Sequence, residues 1–232
     1  MKNFINQKES LVTEAIDGML RSAQGRLARL DGYPHIKVVI RADWDDRLNF
    51  GLAAERARAQ GLRVSMVIVD DDIALPDLPQ ARGIAGTLFV HKIAGALAEQ
   101  GQDLDQVTAA AQRVIQSTVS LGMSLDTCTI PGSPKEARIP EGKAELGLGI
   151  HGEAGIEQVD FSTAKAAMTM LTERMLLAIT PGPHVALLNN LGSVTPLEMS
   201  LLAGELVQSP LGAQIHALVG PAPLMTSLDM QG

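Results

Sequence analysis

The chain has 232 residues, which is long enough for one large α/β domain or two small ones. Its net charge of −7 and its aromatic content of 3% argue against a nucleic-acid partner, because such proteins present basic faces and stacking platforms. The single cysteine, Cys128, excludes an internal disulfide framework, and no apolar stretch is long enough to span a membrane. We therefore expect a cytoplasmic protein, without a secretory signal, whose partners are small molecules.

The first part of the chain predicts helices and strands in alternation. Apolar residues recur at helical spacing over residues 9–30, which predicts an amphipathic helix. A β-branched run at residues 36–40 predicts a buried strand, residues 48–60 a helix that ends at Gly61, and residues 62–69 the next strand. This order predicts a parallel βαβ unit, with functional loops after the carboxyl ends of its strands.

The rest of the chain predicts further helices and strands around one long loop. We expect helices at residues 82–100, 104–121, 163–178 and 196–207. We expect strands at residues 124–129, 143–151, 185–188 and 217–219. Residues 131–142 are rich in proline, glycine and charge and predict a loop. The expected fold class is α/β, with two small three-layer units on mostly parallel sheets, one over residues 1–121 and one over residues 122–232.

Three consecutive carboxylates, Asp70, Asp71 and Asp72, follow the predicted strand at residues 62–69. Carboxylates are the ligands that hard cations prefer. Adjacent residues of an extended chain point in different directions, however, and like charges repel. We therefore favour a solvated loop, in which one carboxylate caps a helix, and consider a metal site the less favoured interpretation.

Residues 145–155 read Glu-Leu-Gly-Leu-Gly-Ile-His-Gly-Glu-Ala-Gly, so an apolar strand delivers His151 into a glycine-rich turn. Imidazole is nucleophilic and titrates near neutral pH, which suits covalent or acid–base chemistry. The glycines on both sides are expected to leave room for a ligand. On the residues alone, a structural histidine in an ordinary glycine turn is the more common case.

This string resembles the Gly-Ile-His-Gly-Glu-Pro-Gly signature of the dihydroxyacetone kinase family, with Ala154 in place of the proline. Further similar segments lie at residues 46–55, 69–77, 82–87, 90–95, 189–192 and 226–230, so nearly the whole chain is covered. The resemblance implies that His151 holds dihydroxyacetone or a related short-chain keto sugar as a hemiaminal, with Gly152 beside it in the substrate site. It implies that Asp46 binds the reacting hydroxyl and acts as its base. Without the resemblance, Asp46 reads as an N-cap of the following helix.

The chain also departs from the family pattern. Family members carry a long segment with a Gly-Gly-Gly-Ser-Gly-His-Glu-Pro loop and a Lys-Asn-Tyr-Thr-Gly-Asp motif, whereas here residues 41–45 run almost directly into Asp46. We therefore expect an internal deletion that leaves the N-terminal unit incomplete, and a C-terminal truncation at Gly232. His91 does not replace the missing histidine, because its Val-His-Lys-Ile setting predicts a core or surface position on a helix.

The resemblance implies a division of labour between protein chains or domains. No cofactor or metal is expected on this chain, and ATP and Mg²⁺ are expected on a separate domain or L-type subunit. A homodimer is expected from the family. The first functional hypothesis is the substrate-binding part of a glycerone (dihydroxyacetone) kinase. The alternatives are a non-catalytic dihydroxyacetone sensor or coactivator, and an inactive shortened scaffold.

Overall fold

The structure is a computed structural model that describes residues 35–41, 44–75, 82–150 and 152–232, with side chains from Asn49 onward. Over these residues the fold is α/β, as predicted, with helices and three small sheets. The chain forms two compact units. The first contains the described residues up to Val69 together with Phe89–Val114, and the second contains Asp70–Leu88 and Ile115–Gly232. These units interleave along the sequence, whereas the predicted domains 1–121 and 122–232 are continuous, and that division stays a prediction.

The first unit contains the predicted βαβ arrangement. Its elements are β1 (His35–Arg41), α1 (Trp44–Ala59) and β2 (Arg63–Val69), and the two strands pair in parallel along their whole lengths. Ala54 and Ala57 of α1 are buried against Val64 of β2. The guanidinium of Arg58 donates to the carbonyl oxygen of Val64 from Nε at 3.3 Å and from Nη2 at 2.9 Å, which ties the end of the helix to the strand. The predicted helix at residues 9–30 lies outside the described residues.

Two helices, α2 (Thr87–Glu99) and α3 (Leu104–Gln116), follow along the chain. α2 begins five residues later than predicted, because the amides of residues 84 and 86 donate to a side chain and not to helix carbonyls. α3 ends before the predicted residue 121, because Ser120 pairs with the backbone of residues 71–73. None of the helices in the described ranges is long and apolar enough to cross a membrane.

The second unit contains an antiparallel sheet that differs from the mostly parallel arrangement expected. Its strands are β3 (Met123–Ser124), β4 (Lys143–Leu146) and β5 (Glu157–Asp160), with β4 in the centre. β4 stops at Leu146, short of the predicted residue 151, because Gly147 adopts a positive φ of 68° and turns the chain. β5 was absent from the prediction, since Val159 is its only buried residue.

A second βαβ arrangement completes this unit. β6 (His184–Asn189) and β7 (Ile215–Ala222) pair in parallel, and α5 (Pro196–Gln208) connects them through a short 3₁₀ turn. α4 (Ala164–Ala178) and α5 enclose a core centred on Met168, Leu206 and Leu211.

A reciprocal cap fixes the start of α5. The Thr195 hydroxyl accepts from the Glu198 amide at 3.4 Å, and the Glu198 carboxylate accepts from the Thr195 amide at 2.9 Å and from its hydroxyl at 2.7 Å. Pro196 occupies the first turn, where its missing N–H is not needed. The Thr195 hydroxyl and amide hold the pKa of Glu198 below its ordinary value, because both donate to its charged form.

We expect Thr195→Ala to lower the free energy of unfolding by about 1 kcal/mol, because an orphaned amide replaces the capped one. Thr195→Ser keeps a hydroxyl at this position and is the matched control. Urea denaturation followed by circular dichroism measures the difference. Equal stability of the alanine variant and the parent would contradict the capping assignment.

The cap also predicts a pH dependence. Because the folded-state pKa of Glu198 is lowered from 4.5, its charge stabilises the fold above that pH, and this contribution is lost as the pH falls through the folded-state pKa. Glu198→Gln keeps a capping side chain without the titration. The difference in unfolding free energy between parent and variant, measured from pH 7 to pH 3, is expected to shrink at the acidic end. A constant difference over this range would argue against the effect.

Candidate functional site

The structure describes the predicted site residues unequally. Asp46 lies in the first turn of α1, which begins at Trp44, so Asp46 is not the N-cap of that helix. An acidic residue in a first turn is favoured by the positive end of the helix dipole. His151 lies outside the described residues, and Gly152 lies within them. The roles of Asp46 and His151 stay predictions.

The chain between β4 and β5 forms the turn that contains position 151. We call the described residues 147–150 and 152–155 the histidine turn. Residues 144–150 leading into it are all buried. The Gly149 amide donates to the Glu153 carbonyl at 3.1 Å, and the Ile156 amide donates to the Leu146 carbonyl at 2.9 Å, so the turn closes on itself.

The glycines of this turn allow close packing more than they leave room for a ligand. A Cβ on Gly155 would overlap the Leu146 carbonyl oxygen, and one on Gly149 would overlap the Glu153 carboxylate. Gly152 adopts a φ of +94°, which strains any other residue, and a Cβ there would lie in tight contact with the Cys128 sulfur and the Ile130 side chain. The expectation of free space therefore fails at Gly149 and Gly155.

A buried ion pair reaches the start of the histidine turn. Asp72 is 3% exposed and accepts from the Ala74 amide at 2.9 Å and from Arg82 Nε at 2.9 Å. Arg82 Nη2 lies 2.8 Å from the same carboxylate and also donates to the Gly147 carbonyl oxygen. Burial raises the pKa of Asp72 above its ordinary value, although the Ala74 amide and Arg82 act in the opposite direction.

The neighbouring carboxylate, Asp71, binds a different part of the backbone. It is 2% exposed and accepts from the amides of Ile84 and Gly86, each at 2.8 Å. The predicted solvated loop is therefore wrong for Asp71 and Asp72, and only Asp70 is exposed. Apart from the Ala74 amide, the donors to these two carboxylates lie ten or more residues further along the chain, so local sequence did not reveal them. Within the described ranges, no three His, Cys, Asp or Glu side chains group as a metal site would require.

A second arginine, Arg138, holds the far side of the histidine turn. Its Nε donates to the carboxylate of Glu145 at 2.9 and 3.2 Å, and its Nη1 to Glu136 at 2.6 Å. The remaining hydrogen bonds reach the carbonyl oxygens of Gly152 at 3.2 Å and Glu153 at 3.3 Å. Although burial disfavours the charge, the two carboxylates raise the pKa of Arg138 above its ordinary value.

The middle of the turn is held by the C-terminal segment. The Ser227 hydroxyl donates to the carbonyl oxygen of Ile150, which is the residue before His151. Ser227 is itself placed by the segment that follows β6, since its amide donates to the Leu191 carbonyl at 2.8 Å. The Asn189 side chain accepts from the Met225 amide at 2.8 Å and donates to its carbonyl at 2.7 Å. The Asn189 and Leu191 contacts thus bring the Thr-Ser-Leu-Asp-Met segment to the turn.

Sequence reasoning missed the side chains that hold this turn. Arg82 and Ser227 lie in segments that carry the family resemblance, but no role followed from that. Arg138 lies in the stretch predicted as a loop, and Glu145 was quoted only as the first residue of the turn string. An arginine and a glutamate separated by a proline–glycine stretch give no periodic signal, so only the fold identifies them as partners.

Comparison with known proteins gives a consistent result. Residues 38–232 match the Dak1 domain family. Dihydroxyacetone kinase of Citrobacter freundii is 36% identical over 298 residues, which covers 99% of this chain and 54% of that protein. The dihydroxyacetone-binding subunit DhaK of PTS-dependent dihydroxyacetone kinase 1 from Listeria innocua is 36% identical, with 85% of this chain and 62% of that protein covered. The crystal structure of the C. freundii kinase in complex with AMP-PNP and Mg²⁺ superimposes with a TM-score of 0.83 at 44% identity, covering 85% of this chain and 37% of that one.

The lengths of these alignments are informative. The chain spans 54% of the C. freundii kinase that it matches. That alignment extends over 298 residues, whereas the whole chain has 232, so the relative carries residues inside the matched region that this chain lacks. This agrees with the internal deletion expected from the sequence, whose position in the N-terminal unit stays a prediction.

We expect Asp71→Ala to lower the free energy of unfolding by at least about 2 kcal/mol, since each buried donor left unsatisfied costs about 1–3 kcal/mol. Asp70→Ala removes an exposed carboxylate one residue away and is expected to change stability by less than about 0.5 kcal/mol. Urea denaturation of both variants and the parent measures the difference. Similar stabilities for the two alanine variants would contradict the role assigned to Asp71.

Proposed function

The chain belongs to the Dak1 domain family, and from this membership we propose that it is the dihydroxyacetone-binding part of a kinase. Its relatives are named dihydroxyacetone kinases or a dihydroxyacetone-binding subunit. The observation that carries the proposal is the histidine turn, which contains the sequence Gly-Ile-His-Gly at residues 149–152. Side chains hold the backbone on both sides of the histidine position. A reactive group needs such a fixed support, because misplacement of about 1 Å can slow a reaction about 100-fold.

In the proposed reaction His151 captures the substrate covalently. A ring nitrogen of the neutral imidazole adds to the carbonyl carbon, and the carbonyl π electrons move to oxygen. The oxygen gains a proton and the other ring nitrogen loses the proton that it carried, so the hemiaminal forms without an oxidant or a reductant. Glycerol has the same hydroxyl groups but no electrophilic carbon, and it is therefore rejected.

The tether then prepares one hydroxyl group for phosphorylation. Because the substrate is bound at its carbonyl carbon, a terminal hydroxyl is limited to a small volume and can be aligned for in-line attack on phosphorus. Asp46 is proposed to accept the proton of that hydroxyl, as its place in the 46–55 segment implies. Gly152 is proposed to lie beside the substrate, as its place next to His151 in the family motif implies.

We further propose that ATP and Mg²⁺ are supplied by another domain or subunit. The C. freundii structure with AMP-PNP and Mg²⁺ extends far beyond the part that this chain matches. The Listeria relative is a dihydroxyacetone-binding subunit of a PTS-dependent kinase, a name that implies a donor located elsewhere. A homodimer of the binding part is proposed on the same family membership.

We expect intact-protein mass spectrometry, after rapid quenching, to detect one dihydroxyacetone added to the parent without loss of water. His151→Ala should carry no adduct, because the nucleophile is gone. His91→Ala removes an exposed histidine of α2 and is the matched control. Glycerol should give no adduct with any variant.

The outcomes separate the alternatives. An adduct that survives in His151→Ala would show that another group captures the carbonyl. No adduct on a folded parent would favour the inactive scaffold. An adduct without phosphoryl transfer, when an ATP-binding partner subunit is added, would favour the sensor.

A further inference from the structure

Arg138 and Glu145 form an ion pair that is more buried than the other ion pairs around the β3–β4–β5 sheet. The Glu145 side chain is 5% exposed and that of Arg138 is 17% exposed. The pairs Lys143–Asp160 and Arg174–Glu157 lie at the surface, with side chains between 37% and 87% exposed. Surface pairs contribute little to stability, whereas a buried pair must satisfy the hydrogen bonds of both partners to be tolerated.

The buried pair satisfies these hydrogen bonds with the backbone that follows His151. Arg138 donates to the carbonyl oxygens of Gly152 and Glu153. Glu145 accepts from the Gly155 amide at 3.0 Å. Three of the four residues after the histidine are therefore bonded to one pair of side chains.

The chemistry of the turn explains why such support is needed. Glycine loses more backbone freedom on ordering than any other residue, and positions 147, 149, 152 and 155 are all glycine. A flexible turn would place the histidine in many orientations, of which few bring a ring nitrogen within attack distance of a carbonyl carbon. The planar guanidinium holds several acceptors in a fixed geometry at once, which an ammonium group cannot do.

We infer that Arg138 and Glu145 are positioning residues for carbonyl capture, which fix the backbone after His151 so that the imidazole meets the substrate in one orientation. This inference rests on the proposed function, since it assigns the purpose of the pair to the same histidine. Neither residue is proposed to contact the substrate. Their effect passes through Gly152, Glu153 and Gly155.

The experiment compares the parent with R138Q, R138K and E145Q. R174Q is the matched control, because it removes an arginine from a carboxylate pair of the same unit that does not contact the turn. Titration with [2-¹³C]dihydroxyacetone, followed by ¹³C NMR, measures capture through the conversion of the carbonyl carbon to a tetrahedral one. The His151→Ala variant gives the background from hydrated dihydroxyacetone. Hydrogen exchange of the peptide spanning residues 147–155 measures the order of the turn.

We expect R138Q to weaken capture by about 10- to 100-fold, as misplacement of a reacting group by about 1 Å does. Exchange of the 147–155 peptide should be faster than in the parent, while R174Q matches the parent in both measurements. R138K keeps the charge but not the planar fork, so it should restore folding stability without restoring capture. That separation distinguishes positioning from a purely structural role.

Other outcomes overturn the inference. Parent-like capture or parent-like exchange in folded R138Q would do so, as would full restoration of capture by R138K. If R138Q does not fold, E145Q decides, because it keeps the size of the side chain and removes the charge. If the parent itself shows no capture, the proposed function is overturned. If the parent shows capture and R138Q leaves it unchanged, only the positioning role is overturned.

Discussion

Asp72 is buried, and burial disfavours its charged form. Arg82 stabilises that charge, and the same guanidinium also donates to the Gly147 carbonyl oxygen. Removal of one partner from a buried ion pair costs about 3–5 kcal/mol, because the remaining charge has neither water nor a counterion. The pair links residues 72–74, the approach to α2 and the first residue of the histidine turn. Asp71 beside it binds the amides of residues 84 and 86.

A second buried ion pair, between Arg138 and Glu145, holds the part of the turn that follows position 151. Glu145 is the polar residue of the buried strand β4, and it is tolerated there because Arg138 and the Gly155 amide neutralise or bind its oxygens. Both arginines also donate to backbone carbonyl oxygens of the turn. The second unit therefore presents a glycine-rich turn whose described backbone is held by buried side chains, although almost none of it has regular secondary structure.

The sequence predicted what periodicity and chain punctuation encode. The βαβ unit over residues 36–69 and the helices at 164–178 and 196–208 agree with the structure within a few residues, because their apolar spacing or capping residues are local. β5 was missed, because a single buried valine gives no alternation. Asp71 and Asp72 were assigned to solvent, because all their hydrogen-bond donors except the Ala74 amide are distant in sequence. The family motif pointed to His151 and Asp46, but neither residue's side chain lies in the part of the structure that is described. What the fold adds is the set of side chains that hold the histidine turn.

The contacts that hold the histidine turn have a consequence for the order of folding. Arg82 and Gly147 are 65 residues apart in sequence, and Ser227 and Ile150 are 77 apart. Contacts of such separation form late, since the entropy of closing long loops is lost before the contacts compensate for it. During synthesis, the histidine would leave the ribosome well before the serine that fixes its neighbour. A nascent or partly unfolded chain therefore carries a glycine-rich turn whose long-range hydrogen bonds have not yet formed.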